Sequence, residues 1–278
     1  MGNFHYSFNT STIRGQKLSL VEEIDIAAQA GYDAIEPWVS EIATYAQQGG
    51  SLPDLKKHIA DSGLTVESAI GFAEWIVDDD ARRTKGLEQA RHDMDLVQQI
   101  GGKRIAAPAS GATDVVTTDY LAVAERYRAL LTLGSHFGVV PQVEIWGFSK
   151  TLTRLGQAAL VAIESGHSEA CILPDVYHLY KGGSEFTGLS LLNKSAIHVI
   201  HANDYPANPP RAVIKDSDRV YPGDGVAPLT EIFQVLRKID FDGYLSVELF
   251  NPTYWRQDPH KVARTALDKL KAVVLKSV

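Results

Sequence analysis

Short apolar runs alternate along the chain with longer stretches in which apolar residues recur at helical spacing. This alternation is typical of βα units arranged around a parallel sheet. The pattern repeats eight times and predicts a single (β/α)8 TIM barrel that spans residues 1–278. The predicted strands are residues 5–9, 34–38, 65–70, 104–107, 139–145, 171–176, 197–201 and 243–249.

Turn and capping residues agree with this pattern. The clearest predicted helices are residues 19–30, 52–62, 84–100 and 119–137. Ser19 followed by Glu22 predicts a capping box at the first of them. Glycine accepts the left-handed conformation that ends a helix, so we expect it at the turns that lead into strands. The glycines in such positions are Gly31, Gly63, Gly101, Gly134 or Gly138, and Gly166.

Composition narrows the class of protein. A chain of 278 residues with 45% hydrophobic residues is long enough to form one barrel with a full core. The single Cys171 rules out a disulfide within the chain, and no apolar stretch has the length of a membrane span. A net charge of -7 argues against general binding of nucleic acid. We therefore expect a cytoplasmic protein without a nucleic-acid or membrane partner.

Four chemically versatile residues stand at the downstream ends of predicted strands: Glu144, Asp175, His201 and Glu248. In a barrel, the carboxyl ends of successive strands surround one pocket. Three carboxylates and an imidazole that converge there would repel one another unless a cation held them. The sequence therefore predicts one divalent ion, which could be Mn²⁺, Mg²⁺, Zn²⁺ or Co²⁺. Each residue alone is more simply explained as a solvated carboxylate or a structural histidine, and only the coincidence of four favours a metal.

Other polar residues fall in the predicted rim loops. His178 lies three residues after Asp175 and could meet a substrate, although a surface histidine explains it almost equally well. Arg219 lies in the long irregular stretch 205–227, where its guanidinium suits a substrate oxygen. The alternative for Arg219 is a salt bridge to a neighbouring aspartate. For Glu36 and Glu67, on the second and third strands, ordinary structural pairing is the safer interpretation.

The four tryptophans are Trp38, Trp75, Trp146 and Trp255, and all stand at or beyond predicted strand ends. They could wall a pocket and exclude water, although core packing explains an aromatic residue at least as often.

Five segments carry a family resemblance that covers essentially the whole chain. The segments are VEIWG around Glu144, LPDVYH ending at His178, HANDYP from His201, DRVYPGDG around Arg219 and LSVELFNPTYW around Glu248. They resemble the xylose-isomerase-like TIM barrel superfamily of sugar isomerases and epimerases. The last two look closest to the inosose isomerases of inositol catabolism.

The resemblance implies that Glu144, Asp175, His201 and Glu248 bind the metal. It also implies that His178 and Arg219 contact the substrate, and that Glu144 and Glu248 are catalytic and exchange protons. The implied activity is isomerisation or epimerisation of a small keto-polyol or sugar through an enediolate, with an inosose favoured.

Rival functions remain open at this point. They are a metal-dependent inosose dehydratase, a nuclease similar to the apurinic endonucleases and a non-catalytic barrel that binds a sugar. The nuclease is disfavoured by the acidic composition and by the lack of a full second set of metal ligands. The partner expected in every other case is a small sugar or polyol, and the sequence leaves homo-oligomerisation open.

Overall fold

Eight short parallel strands surround the centre of the structure, a computed structural model that describes residues 4–278. Hydrogen-bonded ladders join them in the orders β3-β2-β1-β8-β7 and β4-β5-β6. A bridge between Ile172 and Ile197 connects β6 to β7, and Ala69 exchanges hydrogen bonds with Arg104 and Ala106 between β3 and β4. The sheet therefore closes, and the predicted (β/α)8 barrel is confirmed. The strands are β1 (His5–Asn9), β2 (Ala34–Glu36), β3 (Thr65–Val66), β4 (Arg104–Ala107), β5 (Val140–Glu144), β6 (Ile172–Leu173), β7 (Val199–His201) and β8 (Tyr244–Val247).

Helices follow the strands, and most of them cover the outside of the barrel. They are α1 (Leu20–Ala30), α2 (Val39–Gln47), α3 (Leu52–Asp61), α4 (Asp80–Gln99), α5 (Tyr120–Ser135), α6 (Leu155–Glu164), α7 (Val176–Gly182), α8 (Leu229–Lys238) and α9 (Pro259–Lys276). No helix within residues 4–278 combines the length and apolar character that crossing a bilayer requires.

Helices α2 and α7 lie at the carboxyl ends of β2 and β6, and both of these strands are shorter than the sequence predicted. Residues 171–176 were predicted as a strand, but β6 ends at Leu173. The reason is Asp175, whose side chain accepts a hydrogen bond from the N–H of His178 and so caps α7. A residue predicted to end a strand thus begins a helix, and its carboxylate is held at the rim.

Helix ends largely follow the predicted signals. The Ser19 and Glu22 capping box is present at the start of α1. Gly138 has a φ of +63° and lies just before β5. Gly134 lies inside α5, where a Cβ would come 2.3 Å from the carbonyl oxygen of Val139. Of the two glycines that the sequence offered for the turn before β5, Gly138 therefore adopts the left-handed conformation. Gly134 is needed for close packing instead.

The apolar core lies mainly between the strands and the helices, whereas the inside of the barrel is partly polar. Ser7, Ser68, Gln142 and Ser246 are buried there, each with no more than 2% of its surface exposed. The amide of Gln142 donates a hydrogen bond of 3.2 Å to the hydroxyl of Ser68. Because buried polar groups are costly when unpaired, this layer is suited to support charged groups above it.

We expect Tyr127→Phe to destabilise the barrel. Tyr127 of α5 is fully buried, and its hydroxyl lies 2.8 Å from the carbonyl oxygen of Pro141 and 3.0 Å from that of Cys171. It therefore links β5 to the start of β6. Loss of this hydroxyl should lower the free energy of unfolding by about 1–3 kcal/mol, because the buried carbonyl oxygens that it contacts lose a hydrogen-bond donor. Urea denaturation measures this change, with the slope expected to stay constant.

Tyr120→Phe is the matched control on the same helix. The hydroxyl of Tyr120 makes no hydrogen bond to the part of the chain that the structure describes. An equal loss of stability in both variants would contradict the proposed link between β5 and β6.

Candidate functional site

His201 lies at the centre of a cluster of acidic side chains at the carboxyl end of the barrel. It is the last residue of β7 and is fully buried. Its Nε2 lies 3.1 Å from Oε2 of Glu36. On the other side of the ring, Nδ1 lies 3.2 Å from Oε2 of Glu248 and 3.5 Å from Oδ2 of Asp175. Both ring nitrogens of this histidine are therefore surrounded by carboxylates.

The backbone brings the other predicted ligands to the same place. Glu144 is the last residue of β5, and Glu248 directly follows β8. Asp175 pairs with His201 in an isolated parallel bridge, which sets the two side by side. Adjacent strands of a barrel end at a common rim, so residues distant in sequence converge there.

The arrangement could hold one divalent cation. Asp175, His201 and Glu248 each offer a ligand atom, and these atoms all lie within 4.8 Å of one another. Glu144 is nearby, with its Oε1 4.0 Å from Nδ1 of His201. Within residues 4–278, Nδ1 of His201 and Oε2 of Glu144 are buried and have no hydrogen-bond partner. Orphaned nitrogen and oxygen atoms of this kind are a suitable donor set for a borderline or hard cation.

Glu36 contacts the ring of His201, although the sequence favoured ordinary structural pairing for this glutamate. Its Oε2 accepts hydrogen bonds from the Ser246 hydroxyl at 2.6 Å and from the Asn9 amide at 3.0 Å. Burial opposes a charge on Glu36, but His201 and these donors outweigh it and lower the pKa of the carboxyl group. The position of Glu36 at the end of β2 was a usable signal, because it matches that of the predicted ligands.

Asn203 is a second residue that sequence reasoning missed. Its amide nitrogen donates a hydrogen bond of 2.8 Å to Oδ2 of Asp175. Its amide oxygen accepts one of 2.8 Å from the N–H of Tyr177. Asn203 thus fixes both the carboxylate and the first turn of α7. Its only signal in the sequence is its place two residues after His201, just beyond the end of β7.

Arg219 supplies a buried positive charge beside the cluster, with 1% of its surface exposed. Its Nη1 donates to Oδ2 of Asp175 at 2.9 Å and to Oε2 of Glu248 at 2.8 Å. Its Nη2 donates to Oδ1 of Asp216 at 2.5 Å and lies 3.0 Å from Nε2 of His178. Both alternatives considered for this residue therefore coexist, because Arg219 pairs with a neighbouring aspartate and also reaches the site.

The close charges shift the pKa values of the cluster. Burial, with the nearby charges of Glu248 and Asp175, raises the pKa of Glu144 to about 8. Burial opposes ionisation of Asp175 and His201 as well, but opposite charges outweigh it. Arg219 therefore lowers the pKa of Asp175, and Glu248 and Glu36 raise the pKa of His201 above its usual range. Burial lowers the pKa of His178, which favours its neutral form.

A pocket of about 290 Å³ opens above the cluster. Its polar floor includes Glu144 and Glu248 together with the two predicted substrate contacts, His178 and Arg219. Its wall is aromatic and consists of Trp38, Phe72, Trp146, Phe148 and Phe250. Two of the four tryptophans expected at the rim thus line the pocket.

The other two tryptophans are engaged elsewhere. Trp75 is buried, and its indole N–H donates to the carbonyl oxygen of Pro108 at 2.9 Å. The indole N–H of Trp255 donates to the carbonyl oxygen of Ser11, also at 2.9 Å. Both therefore support packing and loop structure and do not contribute to the pocket wall.

Known proteins resemble this chain over most of its length. The family profile described as xylose isomerase-like TIM barrel matches residues 24–273. An inosose isomerase of Halalkalibacterium halodurans is 24% identical over 266 residues, a match that covers 93% of this chain and 92% of that protein. A 3-dehydroshikimate dehydratase of Pseudomonas aeruginosa is 23% identical over 258 residues, which covers 92% of this chain and 39% of that protein. The solved structure of the IOLI protein with a bound zinc atom has a TM-score of 0.90 at 20% identity and covers 99% of both chains.

We expect Glu36→Gln to weaken the binding of Zn²⁺ or Mn²⁺ about 10- to 100-fold, because partners that orient a metal-binding histidine have effects of this size. The variant keeps the shape of the side chain but removes the charge that faces Nε2 of His201. Competition with a chelator of known affinity measures the change.

Glu67→Gln is the matched control for this measurement. Glu67 is also a buried glutamate just beyond a strand, but it pairs with Lys103 and Arg104. The Glu67→Gln variant should therefore bind the metal with unchanged affinity. Equal affinities of the Glu36→Gln variant and the parent protein would show that Glu36 has no such role.

Proposed function

The chain belongs to the xylose isomerase-like TIM barrel family, and we propose that it is a divalent-metal-dependent isomerase or epimerase of a small keto-polyol, with an inosose as the favoured substrate. The observation that carries the proposal is the proximity of Asp175, His201 and Glu248 beside Glu144, at the floor of an aromatic pocket. The match to an inosose isomerase over 93% of the chain supports the choice of substrate.

Glu144, Asp175, His201 and Glu248 would hold the cation, which could be Mn²⁺, Mg²⁺, Zn²⁺ or Co²⁺. A cation at this position supplies Lewis acidity that polarises a substrate carbonyl and acidifies the adjacent C–H group. Glu36 supports this set, because its contact with Nε2 of His201 fixes the ring and directs Nδ1 towards the carboxylates.

Glu144 and Glu248 are the proposed proton-transfer groups. They come from β5 and β8 and line the same pocket, so they can approach a bound ring from two directions. One carboxylate removes the proton from the carbon next to the carbonyl, which leaves an enediolate. The same or the other carboxyl group returns a proton to the neighbouring carbon or to the opposite face. In isomerisation the proton returns to the former carbonyl carbon, and the hydroxyl proton passes to the former carbonyl oxygen. Return to the opposite face of the original carbon is epimerisation.

Arg219 and His178 are the proposed substrate contacts. The guanidinium of Arg219 is held by Asp216 and by the ring faces of Tyr177 and Phe250, with its carbon 4.6 Å and 5.0 Å from the ring centres. A guanidinium fixed in this way can stabilise the negative charge that develops on an enediolate oxygen without moving. In its neutral form His178 accepts a hydrogen bond from Arg219 through Nε2, which leaves its Nδ1–H as the donor for a substrate hydroxyl group.

The aromatic wall suits a cyclic polyol. The rings of Trp38 and Phe72 lie 4.9 Å apart, and those of Trp146 and Phe148 lie 5.3 Å apart. Such a wall excludes water, which protects the enediolate and strengthens electrostatic contacts at the floor. The C–H faces of a six-membered ring can pack on these side chains while the oxygen substituents reach the polar floor.

Dehydration of an inosose is the second candidate, and the match to a 3-dehydroshikimate dehydratase supports it. The same enediolate would expel a β-hydroxyl group instead of taking up a proton.

A nuclease and a sugar-binding protein without activity are weaker candidates. The net charge of -7 disfavours the nuclease, and carboxylates positioned beside a candidate metal site favour a catalyst over a binder.

Incubation with inososes in deuterated buffer tests the proposed activity. We expect deuterium to enter the substrate at carbon atoms next to the carbonyl, and we expect a product of unchanged composition, as followed by NMR and mass spectrometry. Removal of the metal with a chelator should abolish both, and readdition should restore them. Loss of water from the product would support the dehydratase, whereas the absence of exchange with all inososes and ketohexoses would contradict the proposal.

Glu144→Gln and Glu248→Gln should each slow exchange and turnover at least about tenfold, because glutamine cannot accept the proton. Both residues are also proposed ligands, so metal content must be measured in the same samples. Glu231→Gln, on the exposed surface of α8, is the control and should keep full activity. Full turnover in either site variant would remove that residue from the mechanism.

A further inference from the structure

A second groove lies on the rim beside the pocket, between α2 and α4. It has a volume of about 450 Å³, and we name it the α2–α4 groove. Its polar lining is Ser40 and Gln47 from α2 and Gln89, His92 and Asp93 from α4. The proposed reaction uses none of these residues.

The groove and the pocket are neighbours that share Ile70 and Phe72 in their linings. The ring of Phe72 lies 4.9 Å from that of Trp38 and 6.0 Å from that of Trp146, so it forms part of the pocket wall. Phe72 has 42% of its surface exposed, although it is a large apolar residue. A ligand that extends out of the pocket past Phe72 would therefore enter the α2–α4 groove.

The chemistry of the groove suits a neutral ligand rich in hydroxyl groups. A serine hydroxyl, two carboxamides, an imidazole and a carboxylate offer both donors and acceptors. The exposed ring of Phe72 offers a face on which a sugar ring can pack. No lysine or arginine is among the lining residues, all of which belong to the part of the chain that the structure describes. A phosphate or carboxylate group would therefore lack a cationic partner there.

Part of this lining is held in place before any ligand binds. Asp93 is 4% exposed, and its Oδ1 accepts a hydrogen bond of 2.6 Å from the amide of Gln89. Gly71 keeps the loop close to the barrel, because a Cβ there would come 2.8 Å from Cδ1 of Ile105. Fixed polar groups bind with a smaller loss of side-chain entropy than mobile ones.

We propose that the α2–α4 groove is a second sugar-binding subsite, which holds a glycosyl substituent of a substrate whose keto-polyol ring occupies the pocket. The volume supports this, because the groove is larger than the pocket, at about 450 Å³ against about 290 Å³. A ring that fits the pocket therefore has a neighbouring space for a second ring. This proposal rests on the proposed function, which places the first ring in the pocket.

Calorimetric titration of the metal-loaded protein with myo-inositol and with a galactosyl-myo-inositol tests the subsite. We expect the glycoside to bind at least about tenfold more tightly, because its second ring adds several hydrogen bonds. Gln89→Ala and His92→Ala should each weaken binding of the glycoside about threefold to tenfold and leave the affinity for myo-inositol unchanged. Gln98→Ala is the matched control, since Gln98 is also an exposed glutamine on α4 but lies outside the groove.

Two results would overturn the subsite. One is a glycoside that binds no more tightly than myo-inositol, and the other is an equal effect of Gln89→Ala and Gln98→Ala. Tighter binding of an inositol phosphate than of the glycoside would also contradict it, because the groove would then favour an anion. These measurements need no turnover. Failure of the deuterium exchange would therefore refute the proposed reaction and leave the subsite standing, whereas loss of the glycoside preference would refute the subsite alone.

Discussion

Charge neutralisation at the carboxyl end of the barrel is the constraint on which the rest of the site depends. Four carboxylates, those of Glu36, Glu144, Asp175 and Glu248, are each no more than 3% exposed. Buried charges are tolerated when opposite charges and hydrogen bonds surround them. His201 separates Glu36 from the other three carboxylates, and the guanidinium of Arg219 provides a fixed positive charge. A divalent cation bound to Nδ1 of the neutral imidazole would supply the remaining positive charge.

The surrounding polar residues fix the orientation of these carboxylates. Ser246 and Asn9 donate hydrogen bonds to Glu36, and Asn203 donates one to Asp175. The polar layer inside the barrel continues this network below the site. These polar residues occupy positions at the barrel centre that apolar side chains would otherwise fill. The stability of the fold therefore comes mainly from the apolar core between the strands and the helices. The fold thus separates stability from function in space.

The rim determines what can reach this charged floor. Aromatic residues from several loops form a wall that suits the faces of a ring, while the groove between α2 and α4 is lined by hydroxyl, amide and imidazole groups. Helix α2 directly follows Trp38 of the pocket wall and carries one side of the groove. This short helix after β2 therefore shapes the proposed recognition of the second ring.

The sequence by itself determined the barrel and the placement of Glu144, Asp175, His201 and Glu248 at its carboxyl-terminal rim, because hydrophobic periodicity and helix caps are local properties. The role of Glu36 was decided only by the tertiary structure, since its partner His201 is 165 residues away. The exact strand ends, the helices at the rim and the two cavities depended on tertiary structure for the same reason. Contacts between distant segments leave no periodic signal in the chain, and closure of the barrel creates them.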